Sequence, residues 1–105
     1  MIDLSKKLRD HLIYLLSTRP EVKQVILFGS RARGDAEDRS DIDLAIVAPE
    51  ASTRQWLDLT FLLEQTDTLL SIDVVRWEEA SASLQERILA EGTILYERET
   101  EPEFN

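Results

Sequence analysis

The chain has no cysteine, a single histidine, three glycines and three prolines in 105 residues. Without cysteine there is neither a disulfide framework nor a thiolate metal site. Positive charge is scarce: 12 Lys and Arg stand against 21 Asp and Glu, a net charge of −9. A protein that grips a long nucleic acid needs a basic surface, so this balance argues against such a substrate. It suits a solvated surface and a basic partner. No apolar stretch approaches the ~18 residues of a membrane span. The opening Met1-Ile-Asp-Leu-Ser-Lys-Lys lacks the apolar run of a signal peptide, so the cytoplasm is the expected location.

What is present is one domain's worth of patterned sequence, 43% hydrophobic. Asp3 is expected to cap a first helix over Leu4 to Thr18, with an apolar stripe at Leu4, Leu8, Leu12, Leu15 and Leu16. Arg19-Pro20 ends it. A first strand is expected over Val22 to Phe28 and a short helical turn over Ser30 to Arg33. Gly34 opens a charged loop, Asp35 to Arg39, and a second strand follows over Asp41 to Val47. Ser52-Thr-Arg-Gln55 resembles a capping box for a helix running to about Gln65. That helix carries Trp56, Leu57, Leu59, Phe61, Leu62 and Leu63, a stripe too broad for one buried face. A third strand is expected over Leu70 to Arg76. Ser83-Leu-Gln-Glu86 reads as a second capping box, opening a helix that Gly92 ends, before a last short strand at Thr93 to Tyr96. The domain is thus expected over 1–97, with 98–105 a flexible tail.

The densest chemical signal is Val25-Ile-Leu-Phe-Gly-Ser-Arg-Ala-Arg-Gly34, a polar loop, then Ser40-Asp-Ile-Asp-Leu-Ala-Ile-Val47. Side chains alternate along a strand, so Asp41 and Asp43 share a face, about 6.5 Å apart along the backbone. Two carboxylates that close destabilise a fold unless a cation sits between them, and hard divalent ions such as Mg2+ favour oxygen ligands. Ile42, Leu44 and Ile46 take the opposite, core-facing side. Ala45 and Val47 share the aspartates' face, which should therefore be covered farther along. The turn at Gly29-Ser30 offers backbone N–H groups to a phosphate. Together these features describe a metal and nucleoside-triphosphate site.

This pattern resembles the nucleotidyltransferase superfamily typified by DNA polymerase β. The string Gly29-Ser-Arg-Ala-Arg-Gly34 with Ser40-Asp-Ile-Asp-Leu44 is similar to its minimal prokaryotic branch, often paired with HEPN-class partners as antitoxin and toxin. The resemblance implies an α+β nucleotidyltransferase fold, a small mixed β-sheet with helices packed on it. It implies Mg2+ held by Asp41 and Asp43, and a third carboxylate on a neighbouring strand. Asp73 fits by type and order, completing the metal site and serving the attacking hydroxyl. Gly29, Ser30 and Arg31 are the candidate nucleotide-binding residues; Arg33 cannot share a face with Arg31 on one helical turn. The implied reaction is transfer of AMP from ATP to a tyrosine hydroxyl of a HEPN-type toxin. Transfer to a small molecule and neutralisation of the partner by binding alone remain open. His11 is expected on a solvated helix face, and Trp77 as core, stacking or partner-facing.

Overall fold

The computed structural model describes residues 4–37, 39–66 and 70–98. The elements run α1 (Lys6–Ser17), β1 (Gln24–Phe28), α2 (Ser30–Arg33), β2 (Ile42–Val47), α3 (Thr53–Glu64), β3 (Ile72–Arg76), a 3-10 turn (Trp77–Glu79), α4 (Ala82–Glu91) and β4 (Thr93–Glu97). The strands form one mixed sheet in the order β3-β2-β1-β4. β1 lies antiparallel to β2 and to β4, and β2 lies parallel to β3. A parallel pair needs a crossover, and α3 supplies it. This is the α+β architecture expected of the chain.

Each strand divides its side chains between two layers. On one side Val25, Leu27, Ile42, Leu44 and Ile46 pack with Leu12 and Leu16 of α1 and Leu59 and Leu63 of α3. On the other, Ile26, Phe28 and Ala45 pack with Ile88 of α4, with Val47, Val75, Trp77 and Leu84 around them. The face shared by Ala45 and Val47 is therefore covered, as their alternation demanded. Trp77 belongs to this second layer, and its carbonyl accepts the Gln85 side-chain amide at 2.9 Å. A bulge in β4 opposite Val25 and Ile26 lets the consecutive residues Leu95 and Tyr96 both meet the α1–α3 layer. Arg76 joins the end of β3 to the β2–α3 turn, donating to the carbonyls of Ala48 and Ala51 at 2.8 Å. Its guanidinium lies 5.7 Å from the centre of the Trp56 ring.

The helix ends show where local signals compete. Ser52 and Gln55 form the expected capping box. For α1, Asp3 falls outside the described residues, and the cap is Ser5, whose hydroxyl accepts from Leu8 N at 3.3 Å. For α4 the cap is Ser81, accepting from Leu84 N, and Ser83 lies inside the first turn. Two serines at i and i+2 offer two starts. The earlier one wins because Gln85 then reaches back to Trp77. Residues 99–105 of the expected tail lie outside the described residues. Arg98 itself is held by the carbonyls of Val22, Ser17 and Arg19 at 2.9–3.0 Å. His11 is exposed on α1. Among the described residues no helix is long and apolar enough to cross a membrane.

Gly92 ends α4 with φ −77°, an ordinary conformation, so its glycine is required by space. A Cβ there would lie 2.3 Å from the Ile88 carbonyl oxygen and 2.6 Å from Ile26 Cγ2. A backbone oxygen has little freedom to yield. We expect Gly92→Ala to destabilise the fold by about 1–3 kcal/mol in chemical denaturation. Leu89→Ala, on the exposed side of the same helix, should stay within about 0.5 kcal/mol.

Candidate active site

The candidate residues gather at the end of the sheet that α4 leaves open. β1 delivers Gly29 directly after Phe28, and Phe28 is the register partner of Asp43 on β2. Asp43 is in turn the register partner of Asp73 on β3. Strands lie about 4.8 Å apart, so parallel register brings these two carboxylates side by side. Both leave the sheet on the α4 side, where Ala45 and Val75 continue the same alternation into the covered layer. Asp41 lies one residue before β2 and is exposed.

The electrostatics follow from this placement. Burial pushes the Asp43 carboxyl above its ordinary range, and the charges of Asp73 and then Asp41 push it further. Arg87 on α4 opposes the shift. Asp43 thus carries like-charge repulsion that the protein's own cations only partly offset. Among the described residues no three carboxylate or imidazole groups close into a ready-made metal shell. Mg2+ does not require one: it is typically held by one or two carboxylates, substrate phosphates and waters. An oxygen-only donor pair under mutual repulsion, with a third carboxylate near it, fits such an ion.

Gly29 meets two constraints at once. Its φ of +75° lies in the region that side chains avoid, and a Cβ there would lie 2.3 Å from Asp43 Oδ2. In the structure the space beside it is used by the Asp43 carboxylate. Gly34, at φ +87°, ends α2, and its N–H donates to the Ser30 carbonyl at 2.9 Å.

Arg31, a candidate nucleotide-binding residue, is only 6% exposed. Its Nε donates to the Ser40 carbonyl at 3.0 Å and an Nη to that of Glu37 at 3.4 Å. The single turn of α2 directs residue 31 inward and residue 33 outward, so Arg31 braces the loop leading to Asp41. Arg33 is the exposed cation and pairs with Asp35 at 3.0 Å and Glu91 at 2.9 Å. Glu91 and Arg87 escaped the sequence reading altogether. They lie 58 and 54 positions after Arg33 on a helix whose pattern spoke only of packing (91 − 33 and 87 − 33). The Glu-Gly ending of α4 was the only local signal there.

Comparison with known proteins places these features in a family. Residues 10–101 match the family model described as polymerase beta, nucleotidyltransferase. A protein of Methanocaldococcus jannaschii that carries the provisional name of a protein adenylyltransferase is 37% identical over 84 residues, 74% of this chain and 82% of that one. Among solved structures, a toxin–antitoxin crystal structure with AMP-PNP superposes with a TM-score of 0.69 at 27% identity, covering 86% of this chain and 73% of that one. The fold is also shared, at 23% identity and a TM-score of 0.62, by a Shewanella oneidensis complex of tri-AMPylated HEPN toxin with MNT antitoxin, covering 90% of this chain and 74% of that one.

The raised Asp43 pKa gives a signed expectation. A carboxyl whose folded pKa exceeds its unfolded value contributes stability below the unfolded value, about 3.9. That contribution is lost as pH rises through the folded value. In chelator, Asp43→Asn should therefore melt increasingly above wild type as pH rises from about 4, and the difference should level off beyond the folded pKa. Melting curves from acid to neutral pH check this; a difference independent of pH would contradict it.

Proposed function

Because this chain belongs to the polymerase β nucleotidyltransferase family, we propose that it transfers AMP from ATP, with Mg2+, to a tyrosine hydroxyl of a HEPN-type partner and so acts as its antitoxin. The observation that carries the chemistry is the registered pair Asp43 and Asp73 beside the Gly29–Ser30 turn. The 37%-identical adenylyltransferase relative supports a protein acceptor, and the similar toxin–antitoxin structure with AMP-PNP supports ATP as donor. The HEPN class of the partner comes from the family resemblance.

In this proposal the phosphates lie against the Gly29–Ser30 turn, where Ser30 offers its hydroxyl and backbone N–H, the Gly29 N–H being held by Glu91. Asp41, Asp43 and Asp73 hold Mg2+, which when bound neutralises the triphosphate and the departing pyrophosphate. Asp73 is the exposed member of the registered pair, at the edge of the sheet where an acceptor approaches. It takes the proton of the attacking hydroxyl. The hydroxyl oxygen bonds to the α-phosphorus, and the bond from that phosphorus to pyrophosphate breaks. Arg31 contributes by holding the loop that carries Ser40 to Asp41.

An acceptor carried on another protein agrees with the surface. On α3, Leu57 and Phe61 are each 60% exposed, while Leu59 and Leu63 are buried. The breadth of that helix's apolar stripe thus reflects two faces, one in the core and one open. Tyr14 on α1, which packs beside α3, is exposed as well.

The test is co-purification with the product of the adjacent gene, then incubation with Mg2+ and each nucleoside triphosphate. Intact mass should show adenylyl groups on the partner with ATP, and none with Asp43→Asn or Asp41→Asn. Asp73→Asn should slow single-turnover transfer more than it weakens nucleotide binding. An unmodified partner, fully neutralised by either Asn variant, would contradict the catalytic proposal and leave binding alone.

A further inference from the structure

Glu91, the last residue of α4, makes three bonds at the turn that the transfer proposal leaves unexplained. Its Oε1 accepts from Gly29 N–H at 3.1 Å and from Arg87 Nε at 3.0 Å. Its Oε2 accepts from Arg33 Nη1 at 2.9 Å. The Glu91 side chain is 17% exposed, whereas those of Arg33 and Arg87 are 40% and 55% exposed. A fixed, sheltered acceptor therefore anchors two long, half-open cations. These bonds hold the carboxylate below its usual range against its partial burial, so it stays charged near neutral pH.

The anchor is itself fixed. Gly92, the next residue, sits against Ile88 O and Ile26 Cγ2 with no room for even a methyl group. The end of α4 thus lies close against Ile26 of β1. From this point Glu91 grips the N–H of Gly29, while the Asp43 carboxylate lies against the Gly29 Cα. A shift of the turn by a few tenths of an ångström would disturb both the phosphate side and the carboxylate side of the site.

We propose that Glu91 is a positioning residue for the nucleotide site: through Gly29 N–H, Arg33 and Arg87 it fixes the glycine turn and the two rim cations for a triphosphate that it does not touch. This rests on the nucleotidyltransferase proposal above. The opposite arrangement, in which the carboxylate occupies a position that a phosphate must take, predicts effects of opposite sign.

The experiment compares wild type, Glu91→Ala and Glu91→Gln in three measurements. These are amide hydrogen exchange at Gly29 without nucleotide, Mg-ATP affinity by calorimetry, and melting temperature. Glu91→Gln keeps the oxygen shared by Gly29 and Arg87 and loses the bond to Arg33. It should keep Gly29 protected and bind Mg-ATP within about threefold of wild type. Glu91→Ala should speed exchange at Gly29 and weaken Mg-ATP binding about tenfold or more. Leu16→Ala, buried in the other layer, should melt lower yet bind Mg-ATP normally, which separates positioning from general destabilisation. Should Glu91→Ala fail to fold, Glu91→Asp, one methylene short of Gly29, gives the same comparison. Unchanged exchange at Gly29, unchanged affinity in Glu91→Ala, or tighter binding would each overturn the proposal. A wild type that binds no Mg-ATP would instead remove the nucleotide site, and the exchange data would still decide whether Glu91 holds Gly29.

Discussion

The parallel register of β2 and β3 sets Asp43 beside Asp73, and much of the rest of the molecule can be read from that repulsion. The pairing is held by apolar residues on the strands' other face, where Ile42, Leu44, Ile72 and Val74 meet α1 and α3. Burial of that face outweighs the charge repulsion on this one, because a one-residue slip would turn every apolar side chain outward. The same register carries through β1, so that Asp43 stands opposite Phe28 and the chain must turn at Gly29. Only glycine meets both the positive φ and the closeness of the Asp43 carboxylate. The Gly-Ser signature and the Asp-x-Asp signature, ten residues apart in sequence, are therefore one structural unit.

The sheet's second face is divided along its length. At one end Ile26, Phe28, Ala45 and Ile88 are packed. At the other lie the carboxylates, Asp73 exposed and Asp43 half-buried. α4 covers the packed end and stops where the open end begins, and Glu91 stands at that boundary. A chain with a net charge of −9 thus sets two carboxylates side by side at the place that the proposal assigns to a divalent cation and a triphosphate. Among the described residues, exposed large apolar side chains lie on α3 and α1 (Leu57, Phe61, Tyr14) and also on α4 and β4 (Leu89, Ile94).

The parts of this arrangement legible in sequence were those with short-range periodicity. Alternation in Ile42 to Val47 assigned both faces of β2, and the structure sorts them that way. The capping box at Ser52 and the breadth of the α3 stripe were equally local. The burial of Arg31 was not legible because residue type says nothing of direction: a single helical turn after a positive-φ glycine decides which of two arginines is buried. Glu91 was invisible because its meaning lies in a contact 62 positions away (91 − 29), made only once α4 packs on β1. Ser81 prevailed over Ser83 for a similar reason, the link from Gln85 to Trp77. Register and helix placement, rather than propensity, held the information that the sequence did not expose.

The claim at the centre is that Asp43 destabilises the empty fold and serves a bound cation and nucleotide. Thermal melting of wild type and Asp43→Asn at one neutral pH, in chelator and then with Mg2+ and ATP, tests it directly. In chelator the variant should melt higher, because it lacks the charge that burial disfavours and that Asp73 and Asp41 oppose. With Mg2+ and ATP the wild type should gain stability by mass action and the variant much less, so the order reverses. A wild type that melts higher in chelator and gains nothing from Mg2+ and ATP would leave the aspartates as ordinary surface residues and contradict the metal–nucleotide site.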